Sequence, residues 1–231
     1  MLRRSCPRRI RHLSAALFLI TVLTLATGAS AGTDLGWQIR FYAAAIDMND
    51  GSGGAGRAGG AGFDLDVGAG LGFNAEYRFT PRFGLDLGIL GGAGVDVETG
   101  TTWAGNQGWI TNDTVTFTPL TAGLDIHLTP AARVDLYARP MVALVQYGGL
   151  VVRSGSAGIE TDWDFAEDLA VGAALGLGVP FGGNHWSFQT SLSYLKSDID
   201  GSSSNGLKIT SGYDSTIFGF GLGYRFGQRA G

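Results

Sequence analysis

The stretch from Leu71 to Leu87, LGFNAEYRFTPRFGLDL, decides the fold because the character of its side chains alternates at every second position. Apolar or aromatic residues such as Phe73 and Tyr77 alternate with glycine, polar or charged residues such as Gly72 and Glu76. A period of two residues is that of a β-strand with one apolar and one polar face. The alternation stops at Thr80-Pro81-Arg82 and then resumes. These residues therefore predict two antiparallel strands joined by a short turn.

The same alternation recurs along the chain with connections of two kinds. Short turns are expected near 80–82, 129–133 and 182–185, and long polar connections near 47–62, 91–114, 148–163 and 197–214. The eight predicted strands cover residues 37–43, 71–79, 83–89, 120–128, 134–144, 169–181, 186–194 and 218–226. An even number of strands, with short turns at one end and long loops at the other, is typical of bacterial outer-membrane barrels. The fold predicted is all-β: an eight-stranded antiparallel transmembrane β-barrel of the bacterial outer-membrane type.

Composition and aromatic placement agree with this fold. Glycine accounts for 39 of the 231 residues and charged residues for only 16%. Abundant apolar residues and modest charge argue against a disordered chain. A soluble β-barrel would turn its large side chains inward, whereas here the inward positions are mostly glycine, alanine, serine and charged residues. The aromatic residues expected in an outward belt at the periplasmic boundary are Trp37, Tyr77, Phe79, Phe83, Phe181, Trp186, Phe188, Tyr224 and Phe226.

Residues 1–31 are predicted to be a cleaved signal peptide, which leaves residues 32–231 as the barrel. Five arginines precede an apolar run from Leu13 to Leu25, and Ala29-Ser30-Ala31 is a small-x-small cleavage site. The alternative, an uncleaved anchor, needs an apolar run of about 18 residues or more. The single cysteine, Cys6, lies inside this segment, so no disulfide or cysteine-based metal site is expected. An acidic exported chain is also a poor nucleic-acid binder.

Several segments stand in an order that resembles the outer membrane protein W (OmpW) family. They are the Leu71–Leu87 hairpin, Thr118-Pro119-Leu120-Thr121 followed by 124–128, Arg139-Pro140, Trp186-Ser187-Phe188 through Asp198-Ile199-Asp200, and 220–226. The resemblance implies an eight-stranded barrel in the outer-membrane lipid of a Gram-negative bacterium. It also implies a narrow apolar channel through which small hydrophobic molecules pass.

The inward positions divide the predicted lumen into two parts. Low in the barrel we expect the charged residues Glu76, Arg78, Asp86, Asp125, His127, Asp135 and Arg225, with Arg139 higher. Such charges should pair, because isolated buried charge is very unfavourable, and together they predict a plug in the periplasmic half. The alternative is structural filler without a role in transport. Above the plug we expect an apolar ligand channel formed by Phe117, Met141, Val145 and Leu195, with Tyr42 and Tyr137 near its floor.

Pro140 stands in the middle of a predicted strand, where it cannot donate a ladder hydrogen bond. A local weakness in the wall at Pro140 predicts a lateral outlet to the bilayer, and a harmless kink is the alternative. The predicted function is passive conduction of small hydrophobic molecules with lateral exit. The alternative is a structural or adhesive barrel that acts through its extracellular loops.

Other sequence features do not support a second activity. His127 and His185 have no context typical of a membrane hydrolase or acyltransferase, so no catalytic residue is predicted. The G-x-G-x-x-G match at 54–59 follows no buried strand and opens no helix. The acidic cluster at 162–168 does not fit an EF-hand loop. No cofactor or metal is therefore expected. Trp103, Trp109 and Ile110 in the longest loop are candidates to cover the mouth of the barrel.

Overall fold

A computed structural model describes residues 35–50, 64–98, 102–103, 106–110, 114–130, 134–154, 159–181, 185–204, 206 and 208–226. The predicted signal peptide, residues 1–31, lies outside this part of the chain, so its cleavage stays a prediction. Among the described residues, no helix has the length and apolar character needed to cross a membrane.

Twelve strands are present in the described residues. They are β1 (Gly36–Asp50), β2 (Asp64–Arg78), β3 (Phe83–Glu98), β4 (Thr102–Trp103), β5 (Asn106–Ile110), β6 (Thr114–His127), β7 (Asp135–Tyr147), β8 (Leu150–Ser154), β9 (Ile159–Phe165), β10 (Asp168–Phe181), β11 (Trp186–Ser203) and β12 (Lys208–Arg225).

The eight long strands form a closed antiparallel barrel. Going round the barrel, each pairs with the next in the order β1, β2, β3, β6, β7, β10, β11, β12 and back to β1. Closure is visible at the periplasmic end, where Gln38 pairs with Arg225 and Phe181 pairs with Trp186. A closed barrel satisfies every backbone group within lipid without leaving a sheet edge. The predicted eight-stranded barrel is confirmed.

The predicted outward and inward faces are also confirmed. Leu71 is 73% exposed and Leu175 is 62% exposed, although both are large apolar residues. Gly72 and Gly176, their neighbours in the chain, are buried in the lumen. Aromatic rings at the periplasmic end pack against one another on the outer face, with centroids 5.1 Å apart for Trp37 and Tyr77. Such a belt lies at the membrane–water boundary in outer-membrane barrels.

The outer face becomes polar before the strands end. On β11 the outward residues from Trp186 to Tyr194 are apolar or aromatic except for Thr190, and the next two are Lys196 and Asp198. That apolar span is about 27 Å along the strand and about 21 Å along the barrel axis at the usual rise and tilt. It therefore matches the ~25 Å apolar band of such barrels. The remainder of β11, as far as Ser203, continues on the extracellular side.

Part of the long connections forms strands instead of irregular loop. β8 and β9 make a hairpin in which Leu150 pairs with Trp163, and β5 pairs with β8. β9 also pairs with the extracellular end of β11 at Gly201, Ser202 and Ser203. The extended end of β11 offers unpaired backbone groups, and a neighbouring strand satisfies them.

Candidate functional site

Arg40 occupies the centre of the lower lumen. This residue comes from β1, and its guanidinium reaches carboxylates on three other strands. Its Nη1 lies 2.8 Å from Asp86 Oδ2 and its Nη2 lies 3.1 Å from Asp125 Oδ2, while Nη2 also donates to Glu76. The three carboxylate side chains are fully buried. Each carboxylate therefore needs a neighbouring cation to remain ionised in the protein interior.

Arg139 of β7 forms a second contact with the same two aspartates. Its Nη1 lies 2.8 Å from Asp86 Oδ1 and its Nε lies 2.5 Å from Asp125 Oδ1. The guanidinium carbons of Arg40 and Arg139 stand 4.9 and 5.4 Å from the centroid of the Tyr137 ring. The tyrosine thus packs against both cations in a cation–π arrangement.

A lower tier extends this network toward the periplasm. Arg78 Nη2 lies 2.8 Å from Asp135 Oδ2. His127 bridges the two tiers, with Nε2 2.7 Å from Glu76 Oε1 and Nδ1 2.9 Å from Asp135 Oδ1. Arg225 lies at the edge, its Nη2 3.7 Å from Asp135 Oδ2. Arginines and carboxylates are equal in number in this network, so their charges balance.

All eight residues predicted for the lower lumen meet in this network, but sequence reasoning missed its centre. Arg40 lies between the outward Ile39 and Phe41, so the alternation that located the other charges also places it inside. Asn74 was missed as well, and its Nδ2 donates to Asp86. Both residues could have been found from the sequence, because a charged or amide side chain at an inward position of β1 or β2 must lie in the lumen.

Three buried residues of the network have the donor types of a metal site. Single ligand atoms of Glu76, Asp125 and His127 lie within 4.8 Å of one another. Arg40 already donates to Glu76 and to Asp125. A metal ion would have to compete with that guanidinium, so the donor set fits a salt-bridge network better than a metal centre.

A cavity of about 50 Å³ lies directly above the network. Arg40 and Arg139 are at its floor, and four residues predicted for the ligand channel, Tyr42, Tyr137, Met141 and Leu195, lie on its wall. A Cβ added at Gly72 or Gly176 would overlap the ring of Tyr42 or Tyr137. These two glycines therefore make room for the rings that border the cavity.

The lumen above the cavity is packed with apolar side chains. Phe117 and Val145 lie in this apolar layer and not on the cavity wall, at 1% and 0% exposure. Among the described residues, the upper lumen is therefore filled by side chains and does not form an open cup. The other members of the layer include Ile46, Met48, Val95, Val115, Leu150, Trp163, Ile199 and Tyr213.

Trp163 is the largest side chain of the apolar layer and was not predicted. It belongs to β9, pairs with Leu150 across the hairpin and with Ser203 at the extracellular end of β11, and is 1% exposed. The side chains of Trp103, Trp109 and Ile110, the residues considered for covering the mouth, lie outside the described part. Trp163 was hidden from sequence reasoning because its strand falls within a long connection.

Pro140 lies on the outer face of β7 beside the cavity. It pairs with Ala173 of β10 on one side. On the other side, the ladder between β6 and β7 is interrupted between Gly123↔Met141 and Ile126↔Ala138. The residues before and after Pro140 in the chain both line the cavity; they are Arg139 and Met141. The weakened ladder and the cavity thus share one section of wall.

A closed eight-stranded barrel with an apolar outer face and a charged lumen defines an outer-membrane β-barrel. The sequence model described as "Outer membrane protein beta-barrel domain" matches residues 15–226, so the chain belongs to this family. No curated protein matches the sequence significantly.

Several solved structures are similar to this chain. The crystal structure of outer membrane protein OprG from Pseudomonas aeruginosa has 16% identity and a TM-score of 0.57, covering 84% of this chain and 98% of that one. The solid-state NMR structure of outer membrane protein AlkL in DMPC bilayers has 20% identity and a TM-score of 0.55, covering 87% and 95%. The NMR structure of E. coli outer membrane protein W has 16% identity and a TM-score of 0.46, covering 85% and 100%. The similarity in fold is judged from OprG and AlkL, which have the higher TM-scores. The predicted outer-membrane barrel is confirmed, and its fold is similar to those of OprG and AlkL.

Proposed function

We propose that this barrel passively conducts small hydrophobic molecules from the outside, through the apolar layer, into the cavity and sideways into the bilayer at Pro140. One observation carries the proposal: the cavity has apolar packing above it, paired charges below it and the interrupted β6–β7 ladder beside it. An apolar lining suits an apolar cargo, and the gap in the ladder gives that cargo a short way to lipid.

The charged network explains why the exit is lateral. A molecule that moves straight down must separate Arg40 or Arg139 from carboxylates that are themselves fully buried. Breaking a buried pair costs about 3–5 kcal/mol, and an apolar molecule offers the separated charges no hydrogen bond in return. The network therefore acts as a plug of the periplasmic half.

Access from outside requires the apolar layer to open. A cavity of about 50 Å³ is too small for a ring such as benzene, which occupies an engineered cavity of about 150 Å³ in another protein. Within the described residues, the β8–β9 hairpin pairs with the barrel wall at three ladder pairs between β9 and β11, and two backbone hydrogen bonds, from Ser204 to Asp162 and from Ala166 to Asp200, lie beside them. Movement of this hairpin would withdraw Trp163 from the layer and open the lumen.

The Trp163→Ala variant tests this route. In outer-membrane vesicles that contain the variant, uptake of a fluorescent hydrophobic tracer should be several-fold faster than with the native barrel. Trp37→Ala is the matched control, because Trp37 is 50% exposed on the outer face and does not border the lumen. Uptake equal to that of the native barrel in both variants would contradict the route.

A structural or adhesive role is the second candidate, and one observation favours it. The long strands continue beyond the apolar band, and β5, β8 and β9 extend that sheet on the extracellular side. Such a platform can bind a surface without moving any molecule. Tracer uptake that is no faster with the barrel than without it, together with lost surface adhesion when 150–165 are replaced by a short linker, would support this role.

A further inference from the structure

The wall of the cavity has two chemically different levels. The upper level is lined by apolar side chains, namely Leu90, Pro119, Met141, Leu195 and Ile217. Nearer the charged network, the wall carries the hydroxyl groups of Tyr42, Thr121, Tyr137, Ser191 and Ser193. A purely hydrocarbon cargo would offer these hydroxyl groups no hydrogen bond, so the lining suits a molecule with both an apolar body and a polar group.

Two residues of the cavity wall each have one buried polar atom with no hydrogen-bond partner within the described residues. These atoms are Oε1 of Gln189 and Nε of Arg40. Both residues line the cavity, and they are only 8% and 4% exposed. Oε1 accepts a hydrogen bond and Nε–H donates one. Leaving such groups unpaired in the protein interior is unfavourable, so each is a position where a bound molecule gains a contact.

The charge balance beneath the cavity limits what that molecule carries. The carboxylates of Asp86 and Asp125 already engage both Arg40 and Arg139. A further carboxylate would add a negative charge to a network whose charges balance, and buried charge without a counter-charge is strongly unfavourable. A neutral group that both accepts and donates a hydrogen bond fits better, and a hydroxyl group is the simplest such group.

We propose that the cavity, once opening of the apolar layer has enlarged it, binds small hydrophobic molecules that carry one hydroxyl group, such as aliphatic alcohols or phenols. The hydroxyl accepts from Arg40 Nε and donates to Gln189 Oε1, while the hydrocarbon body packs against the apolar upper level of the wall. This inference rests on the proposed function, because the cargo reaches the cavity through the apolar layer.

Photolabelling with matched probes tests the proposal. Three medium-chain diazirine probes of equal length are used: one with a terminal hydroxyl, one with a terminal methyl and one with a terminal carboxylate. The full barrel is irradiated with each probe in lipid nanodiscs, and the labelled residues are identified by peptide mass spectrometry. Labels on Met141 and Leu195 report the cavity, and labels on Leu175 report the lipid face.

The hydroxyl probe should label the cavity about tenfold more than the methyl probe, the ratio expected for one additional satisfied buried hydrogen-bonding group. Gln189→Met keeps the shape of the side chain and removes the acceptor, so this ratio should fall several-fold, because only the contact with Arg40 Nε remains. Ser197→Ala is the control, because Ser197 bonds to Tyr147 and is not part of the cavity wall. Heat-dependent migration in gels verifies that each variant forms a closed barrel.

The other outcomes separate this proposal from the proposed function. Equal labelling of the cavity by the hydroxyl and methyl probes would overturn the hydroxyl site and leave conduction intact. Stronger labelling by the carboxylate probe would overturn the charge argument and with it the hydroxyl site. Labels from all three probes confined to the lipid face would overturn both the site and the conduction route.

Discussion

Leu124 and Pro140 face each other across β6 and β7 but form no ladder pair. The pairs on either side, Gly123↔Met141 and Ile126↔Ala138, keep the same register, so the interruption is not a bulge. Proline has no backbone N–H to donate, and this strand has neighbours on both sides. The interruption is therefore a direct consequence of the residue type at position 140.

Replacing Pro140 by valine should slow tracer uptake. Valine restores the backbone donor, and one added hydrogen bond is worth about 1 kcal/mol. If the outlet opens through this ladder, uptake into outer-membrane vesicles should fall about fivefold. Stopped-flow fluorescence of a hydrophobic tracer measures the rate.

Pro180→Val is the matched control for that variant. Pro180 pairs with Ser187 near the periplasmic end and is not part of the cavity wall. Its replacement should leave uptake unchanged. A rate in Pro140→Val equal to that in Pro180→Val would exclude the outlet and leave Pro140 as a harmless kink.

Arg40→Met tests the centre of the charged network. The change leaves Glu76, Asp86 and Asp125 with fewer cations, although all three are buried. We expect the free energy of unfolding to fall by about 3–5 kcal/mol, measured by urea titration of the barrel refolded in lipid vesicles. Arg82→Met in the exposed turn between β2 and β3 should change it by no more than about 0.5 kcal/mol. Equal effects of the two variants would show that Arg40 is not essential to the network.

Leu175→Arg tests the position of the bilayer. Leu175 is 62% exposed in the middle of β10, and an arginine near the bilayer midplane costs about 2–4 kcal/mol in such barrels. Ser202→Arg is the comparison, because Ser202 is exposed at the extracellular end of β11. Urea titration in vesicles should show a loss below about 1 kcal/mol for Ser202→Arg. Similar losses at both positions would contradict the assigned lipid face.

The barrel and the two faces of its strands were predictable because they depend on a local pattern. Apolar alternation placed Leu71 and Leu175 outside and Glu76 and Asp125 inside, as the structure has them. Arg40 was available from the same rule, and it was missed because β1 was interpreted from its apolar face alone. Parity predicts the direction of a side chain whenever the strand itself is recognised.

The state of the upper lumen was not predictable from the pattern. Whether Phe117 and Val145 line a space or fill it depends on the volumes of side chains from every strand of the barrel. The direction of Trp163 depends on the pairing of β9 with β11, a contact between distant parts of the sequence. Strand formation in such a segment is decided by its neighbours more than by its own propensity.

The central claim is that cargo passes through the lumen beneath the β8–β9 hairpin, and a reversible lock on that hairpin tests it most directly. Asp164 and Ser202 are directly opposed in the β9–β11 ladder and both are exposed. Opposed residues of an antiparallel pair lie within the range that a disulfide spans. The only native cysteine is Cys6, within the predicted signal peptide, so the pair Asp164→Cys and Ser202→Cys has no competing thiol after cleavage.

Tracer uptake is measured in outer-membrane vesicles with this double variant, first oxidised and then reduced, with the two single variants as controls. The account predicts that oxidation lowers uptake to the level of vesicles without the barrel and that reduction restores it. Uptake that is the same in the oxidised and reduced states would contradict passage through the lumen.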